Sequence, residues 1–73
     1  MAKDVESKKN PSQKEIAEGY FLSQSEMLKN LGIKSLFVTT DGVVFLGTAK
    51  GKNSCENYAK VAEVGFEEFQ NPL

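Results

Sequence analysis

The sequence predicts a small α+β domain of order helix–β-hairpin–helix, on the strength of three observations. Two β-prone runs flank Asp41-Gly42 between Leu36 and Gly47, and an Asp-Gly pair between such runs is the strongest short-range hairpin signal, because it accepts positive φ. A capping pattern at Ser12 opens an apolar-periodic run reaching Leu31. A second apolar stripe, Cys55, Tyr58, Ala59 and Ala62, lies between Asn53 and Gly65.

Residues 1–11 form the first segment. Val5 is its only apolar side chain after Ala2, among Lys3, Asp4, Glu6, Lys8 and Lys9. Such a stretch buries too little to offset its ordering entropy, so it is expected to be a disordered N-terminal tail. The single domain spans residues 12–70, with a frayed end at 71–73. Ser12-Gln-Lys-Glu15 fits a capping box, and Ile16, Ala17, Tyr20, Phe21, Gln24, Met27, Leu28 and Leu31 follow helical spacing. Inside that run Ser23-Gln-Ser-Glu26 is a second capping box, with Leu22 and Met27 placed as a hydrophobic staple. One long helix and two shorter ones both satisfy the pattern. Gly19, costing about 1 kcal/mol relative to alanine in a helix interior, favours a break followed by a helix from about Ser23. Gly32 suits the residue after the helix, with Ile33 making the apolar contact beyond it.

If Asp41 and Gly42 are the two loop residues, Thr40 opposes Val43, Val38 opposes Phe45 and Leu36 opposes Gly47. Leu36, Val38, Val43 and Phe45 then line one face; Phe37, Val44 and Leu46 line the other. Both faces are apolar, and a lone two-stranded ribbon is marginal in water. Three coverings are possible: the helices on opposite faces, both helices on one face with a second copy on the other, or two ribbons pairing edge to edge about a two-fold axis. A two-stranded antiparallel sheet that dimerisation extends is therefore one expectation, with Phe37, Val44 and Leu46 as the interface. Burying each would contribute on the order of 1.5–3 kcal/mol before entropy losses.

After the hairpin, Gly47-Thr-Ala-Lys-Gly-Lys52 reads as a flexible basic connection. The second helix is expected from Asn53 or Ser54 to about Val64, with Asn53 as N-cap and Gly65 closing it before Phe66. Phe66 and Phe69 then return across the core, or serve as a short acidic-aromatic docking segment.

Composition bounds the function. Seventy-three residues allow one domain, which buries only about 60% of its unfolded surface. Cys55 is the one cysteine and histidine is absent, so neither an internal disulfide nor a structural zinc site is expected. No apolar run reaches membrane-spanning length and Met1-Ala-Lys-Asp lacks a signal-peptide core, making a cytoplasmic setting the default without membrane partners. All nine basic residues are lysines, spread along the chain against ten acidic residues. Arginine is the side chain suited to bidentate phosphate and guanine contacts, so nucleic acid is not the expected partner.

Candidate chemistry is thin. Gly51-Lys52-Asn53-Ser54 resembles the end of a phosphate-binding loop, but the pattern needs glycine at position 46, where Leu46 stands, and Ser or Thr at 53, where Asn53 stands. A weaker anion site of Lys50, Gly51, Lys52 and Ser54 with the free amides of a helix start is the alternative function, set against solvated lysines on a link. Cys55, in the first turn of the expected helix, reads either as a thiol activated by dipole and lysines or as a small buried side chain. Asp41 is accounted for by its turn, and the glutamates fall on exposed helix positions. No catalytic residue, cofactor or metal is expected.

Val38-Thr-Thr-Asp-Gly-Val-Val-Phe45, followed by a helix with Asn57-Tyr-Ala-Lys60, resembles short uncharacterised phage and prophage proteins. In those a threonine-Asp-Gly hairpin precedes a helix with an Asn-x-Ala element. The likeness runs from about Ser35 to Glu63, with Tyr58 where those proteins often carry histidine, and it implies no activity. The expectation is thus a non-catalytic accessory protein that binds itself, as a homodimer, or an unidentified protein, through an apolar hairpin face.

Overall fold

The computed structural model describes residues 12–72; the expected disordered tail lies outside them. The elements run α1 (Gln13–Ser23), α2 (Ser25–Leu31), β1 (Ser35–Thr39), β2 (Val44–Leu46), α3 (Ala49–Ala62) and β3 (Phe66–Gln70). The fold is α+β, with three helices and a three-stranded antiparallel sheet of order β2-β1-β3. The hairpin is thus not a free ribbon. The returning C-terminal segment pairs with β1 over its whole length, Leu36 opposite Phe69 and Val38 opposite Glu67.

Ser12 caps α1 reciprocally: its Oγ accepts from the Glu15 N–H at 3.2 Å, and its own N–H donates to Glu15 Oε1 at 2.9 Å. The helix breaks, but at Gln24, whose φ of −115° leaves the helical region. The Ser23–Glu26 box does not form. Ser23 is the last residue of α1, and its hydroxyl donates to the Tyr20 carbonyl instead. Gly19 is accommodated inside α1. Gly32, at φ 71°, closes α2 with its N–H on the Leu28 and Lys29 carbonyls, and Ile33 follows it into the core.

The hairpin register differs by one residue from the expected one. Leu36 opposes Leu46, Phe37 opposes Phe45 and Val38 opposes Val44. The loop holds three residues, Thr40, Asp41 and Gly42, with Gly42 at φ 91°. Thr39 causes the difference. Its hydroxyl accepts the Val43 N–H at 2.9 Å and donates to Asp41, while its backbone N–H reaches the Val43 carbonyl at 2.9 Å. A side chain thereby does in the turn what a backbone carbonyl does in a two-residue hairpin.

A one-residue slip exchanges faces along one strand relative to the other. Leu36, Val38, Val44, Leu46 and Phe69 share the face covered by α1 and α2, packed with Ala17, Phe21, Leu28 and Ile33. Phe37, Phe45 and Phe66 share the opposite face. There α3 lies across β1 and β2, burying Cys55 and Ala59 and setting Tyr58 5.7 Å from Phe45. Phe37 and Phe66 meet edge to face at 6.0 Å. Strand β1, buried at every position, is the layer between. Two helical layers of the same chain thus cover the ribbon.

Helix α3 begins at Ala49, four residues earlier than the expected Asn53 cap. Thr48 is the cap, its Oγ accepting the Gly51 N–H at 2.9 Å. Four of the six residues of the expected flexible link, Ala49 to Lys52, are thereby helical. At the far end Glu63, not Gly65, takes the left-handed conformation, at φ 58°, and its N–H donates to the Ala59 carbonyl.

Candidate interaction surfaces

The three residues expected to form one interface do not share a face. Phe37 is 7% exposed, between α3 and Phe66, whereas Val44 and Leu46 are half-buried on the side of α1 and α2. The premise that put them together, a two-residue loop, fails at Thr39. What Val44 and Leu46 do share is an edge. The bonds from Thr39 N–H to Val43 O and from Gly47 N–H to Ser35 O, each 2.9 Å, put odd-numbered residues in the β1–β2 ladder. In an antiparallel strand the backbone groups alternate sides, so those of Val44 and Leu46 point outward. The Leu46 carbonyl is taken by the Thr48 N–H at 2.9 Å. The N–H and C=O of Val44 and the N–H of Leu46 are left along an edge that no strand among the described residues pairs.

The second edge belongs to β3. Bonds from Thr40 N–H to Gly65 O (2.9 Å) and from Asn71 N–H to Lys34 O (2.8 Å) frame that ladder. Phe66, Glu68 and Gln70 therefore aim their backbone groups outward. Glu67, Glu68 and Gln70 are exposed; Phe66 and Phe69 are half-buried, one on each face. The two phenylalanines expected as core or as docking residues are used as packing, and the strand between them carries two carboxylates.

The expected anion site is rearranged by the early start of α3. Lys50, Gly51 and Lys52 are helical, not a loop, and Ser54 lies in the second turn rather than at the terminus. The Gly51 N–H is bound to Thr48 Oγ and the Lys52 N–H to the Thr48 carbonyl at 2.8 Å. Two of the amides that an anion would use are already occupied.

Cys55 is likewise displaced from the first turn. It is fully buried, and burial, with a smaller push from the Glu56 charge, raises its thiol above the usual cysteine range. A thiolate is the reactive form. Alkylation of Cys55 in the native protein at neutral pH is accordingly expected to run at least about tenfold slower than in the unfolded chain. A native rate equal to the unfolded one, measured by mass spectrometry, would contradict this placement.

One polar constellation was not visible in the sequence. Asp41 at the hairpin tip accepts hydrogen bonds from the Thr39 hydroxyl on one carboxylate oxygen and from the Tyr58 hydroxyl of α3 on the other. The Thr39 bond, then the Tyr58 bond, hold the Asp41 carboxyl below its usual range. Tyr58 is pushed up, chiefly by that same bond to Asp41. The arrangement ties the turn to the helix lying beneath it. It resembles a latch more than a reaction centre, since every oxygen in it is engaged by another member.

Among the described residues no group of three or more His, Cys, Asp or Glu is placed to hold a metal ion, and no helix is long and apolar enough to cross a membrane. No family model, curated protein or solved structure matches the chain.

Proposed function

We propose that this chain is a small non-catalytic accessory protein that self-associates, with strand β2 as the contact. The observation that carries the reading is the state of β2. Each of its three residues is apolar and only half-buried, no charge interrupts them, and no strand among the described residues pairs the outer edge. Soluble proteins blunt such edges with charge, proline or a cover, because an open apolar edge templates pairing with another chain. Two copies meeting there about a two-fold axis would join two three-stranded sheets into one. Phe37 takes no part in this contact, being held inside its own chain. The alternative, weak anion or nucleic-acid binding through Lys50, Gly51, Lys52 and Ser54, has less support because the amides of Gly51 and Lys52 are bound to Thr48.

Sedimentation velocity from the micromolar to the millimolar range tests the reading, with Val44→Pro as the probe. The Val44 N–H points away from β1, so proline there removes no bond of the β1–β2 ladder but blocks edge pairing. The wild type is expected to shift toward dimer with concentration, and Val44→Pro to stay monomeric while its amide spectrum remains that of the folded chain. A wild type that sediments as monomer throughout would defeat the proposal.

A further inference from the structure

The two open edges of the sheet differ in charge, and the difference assigns them different partners. Strand β3 presents the backbone groups of Phe66, Glu68 and Gln70 outward, a longer edge than that of β2. Glu67 lies on the face of α1 and α2 and Glu68 on the face of α3, because neighbouring residues alternate. Both are exposed, and neither makes an ion pair with a described residue. A strand added beside β3 would meet a carboxylate on each of its two faces.

We propose that the outer edge of β3, which no strand among the described residues pairs, receives an extended, lysine- or arginine-bearing segment of another protein, which adds as a fourth strand. Main-chain bonds to the outward groups of β3 would supply general affinity, as in other cases of strand addition. Two adjacent basic side chains on the incoming segment would supply selectivity, one reaching Glu67 above the sheet and the other Glu68 below it. Cross-strand pairs of opposite charge are favourable and like charges directly opposite are not. A second copy of β3 is the wrong occupant for the same reason. In the antiparallel register centred on Glu68 it sets that carboxylate against its own counterpart, and in the register centred on Glu67 it does the same to Glu67. Like charges thus direct self-pairing away from β3, while the uncharged β2 edge carries no such bar. The proposal stands whether or not β2 self-associates, since it uses the opposite side of the sheet.

The test uses the full chain, labelled with 15N, and two end-capped hexapeptides, Thr-Val-Lys-Lys-Val-Thr and Thr-Val-Glu-Glu-Val-Thr. The lysine peptide is expected to shift the amides of Phe66, Glu68 and Gln70, and to bind about tenfold more tightly than the glutamate peptide, given two attractive pairs in place of two repulsive ones. The gap should narrow in high salt, since both carboxylates are exposed. Reversing both charges, in Glu67→Lys with Glu68→Lys, is expected to invert the preference at two exposed positions. Equal binding of the two peptides, shifts confined to other residues, or no shift with millimolar lysine peptide would each overturn the proposal. Sedimentation of the double variant separates this site from the β2 contact: self-association should be unchanged when peptide preference inverts.

Discussion

Replacing Gly51 with alanine is expected to lower stability by about 2 kcal/mol, although the same exchange inside a helix ordinarily raises it by about 1 kcal/mol. Gly51 sits in the first turn of α3, where the helix crosses the end of β2. A methyl group built on its Cα would overlap the Leu46 carbonyl oxygen and lie 2.9 Å from the carbon bearing it. That obstacle is backbone, and it is held in place by the Thr48 N–H, so no side-chain rotation relieves the overlap. The strand-to-helix connection must open instead, and with it the cap that Thr48 makes on the Gly51 N–H. Gly19 is the internal control. It is exposed inside α1 with open space where its Cβ would be, so Gly19→Ala is expected to stabilise by about 1 kcal/mol. Thermal denaturation of the two variants should therefore move in opposite directions, Gly51→Ala downward by roughly 8–16 °C for a domain of this size. A Gly51→Ala protein as stable as wild type would mean that α3 does not approach β2 this closely.

The same glycine shows where reading the sequence stops short. Lys50-Gly51-Lys52 has the composition of a flexible link, with no apolar residue to mark a buried stripe. Glycine counts against a helix on propensity alone. Its presence is explained by an approach between backbones that only the folded chain contains. A local signal was nevertheless available: Thr48 is a good N-cap residue, and its partner proves to be Gly51. Where a feature is decided within a few residues, as in the Ser12 capping box, the closure of α2 at Gly32 and the existence of the hairpin, it was legible. The C-terminal strand was less so. Phe66 and Phe69 are three apart, which is not the alternation of a strand, because the sheet uses one on each face and leaves Glu67 and Glu68 at the edge. The site residues suffered in the same way. Phe37, Val44 and Leu46 were grouped by a register that one buried hydroxyl alters. The Asp41–Tyr58 bond, spanning 17 residues of chain, leaves no trace in local pattern.

That hydroxyl carries the second large effect. Thr39→Val keeps the shape of a fully buried side chain while removing the group that accepts from the Val43 N–H and donates to Asp41. The Val43 amide loses its acceptor next to the buried end of β1, and leaving such a group unsatisfied costs about 1–3 kcal/mol. Thr39→Val is expected to lose that much in urea denaturation, whereas Thr39→Ser, which retains the oxygen, should lose distinctly less. The pH dependence supplies an independent reading. Asp41 has its pKa lowered in the folded state, first by Thr39 and then by Tyr58. The folded chain therefore binds this proton less readily than the unfolded one. The resulting stabilisation is present above the ordinary aspartate range and is lost as the pH falls through the folded value, below 3.8. Tyr58 works at the opposite limit. With its pKa raised above 10.0, its contribution is complete below the unfolded value and disappears as the pH climbs through the folded one. In Thr39→Val the acid limb should flatten, because the larger of the two bonds on Asp41 is gone, while the alkaline limb, set by Tyr58 and Asp41, should persist. An acid limb as steep in Thr39→Val as in wild type would show that Thr39 does not hold the Asp41 carboxylate. The register of the hairpin would then need another cause than the one that sets Val44 and Leu46 along the open edge of β2.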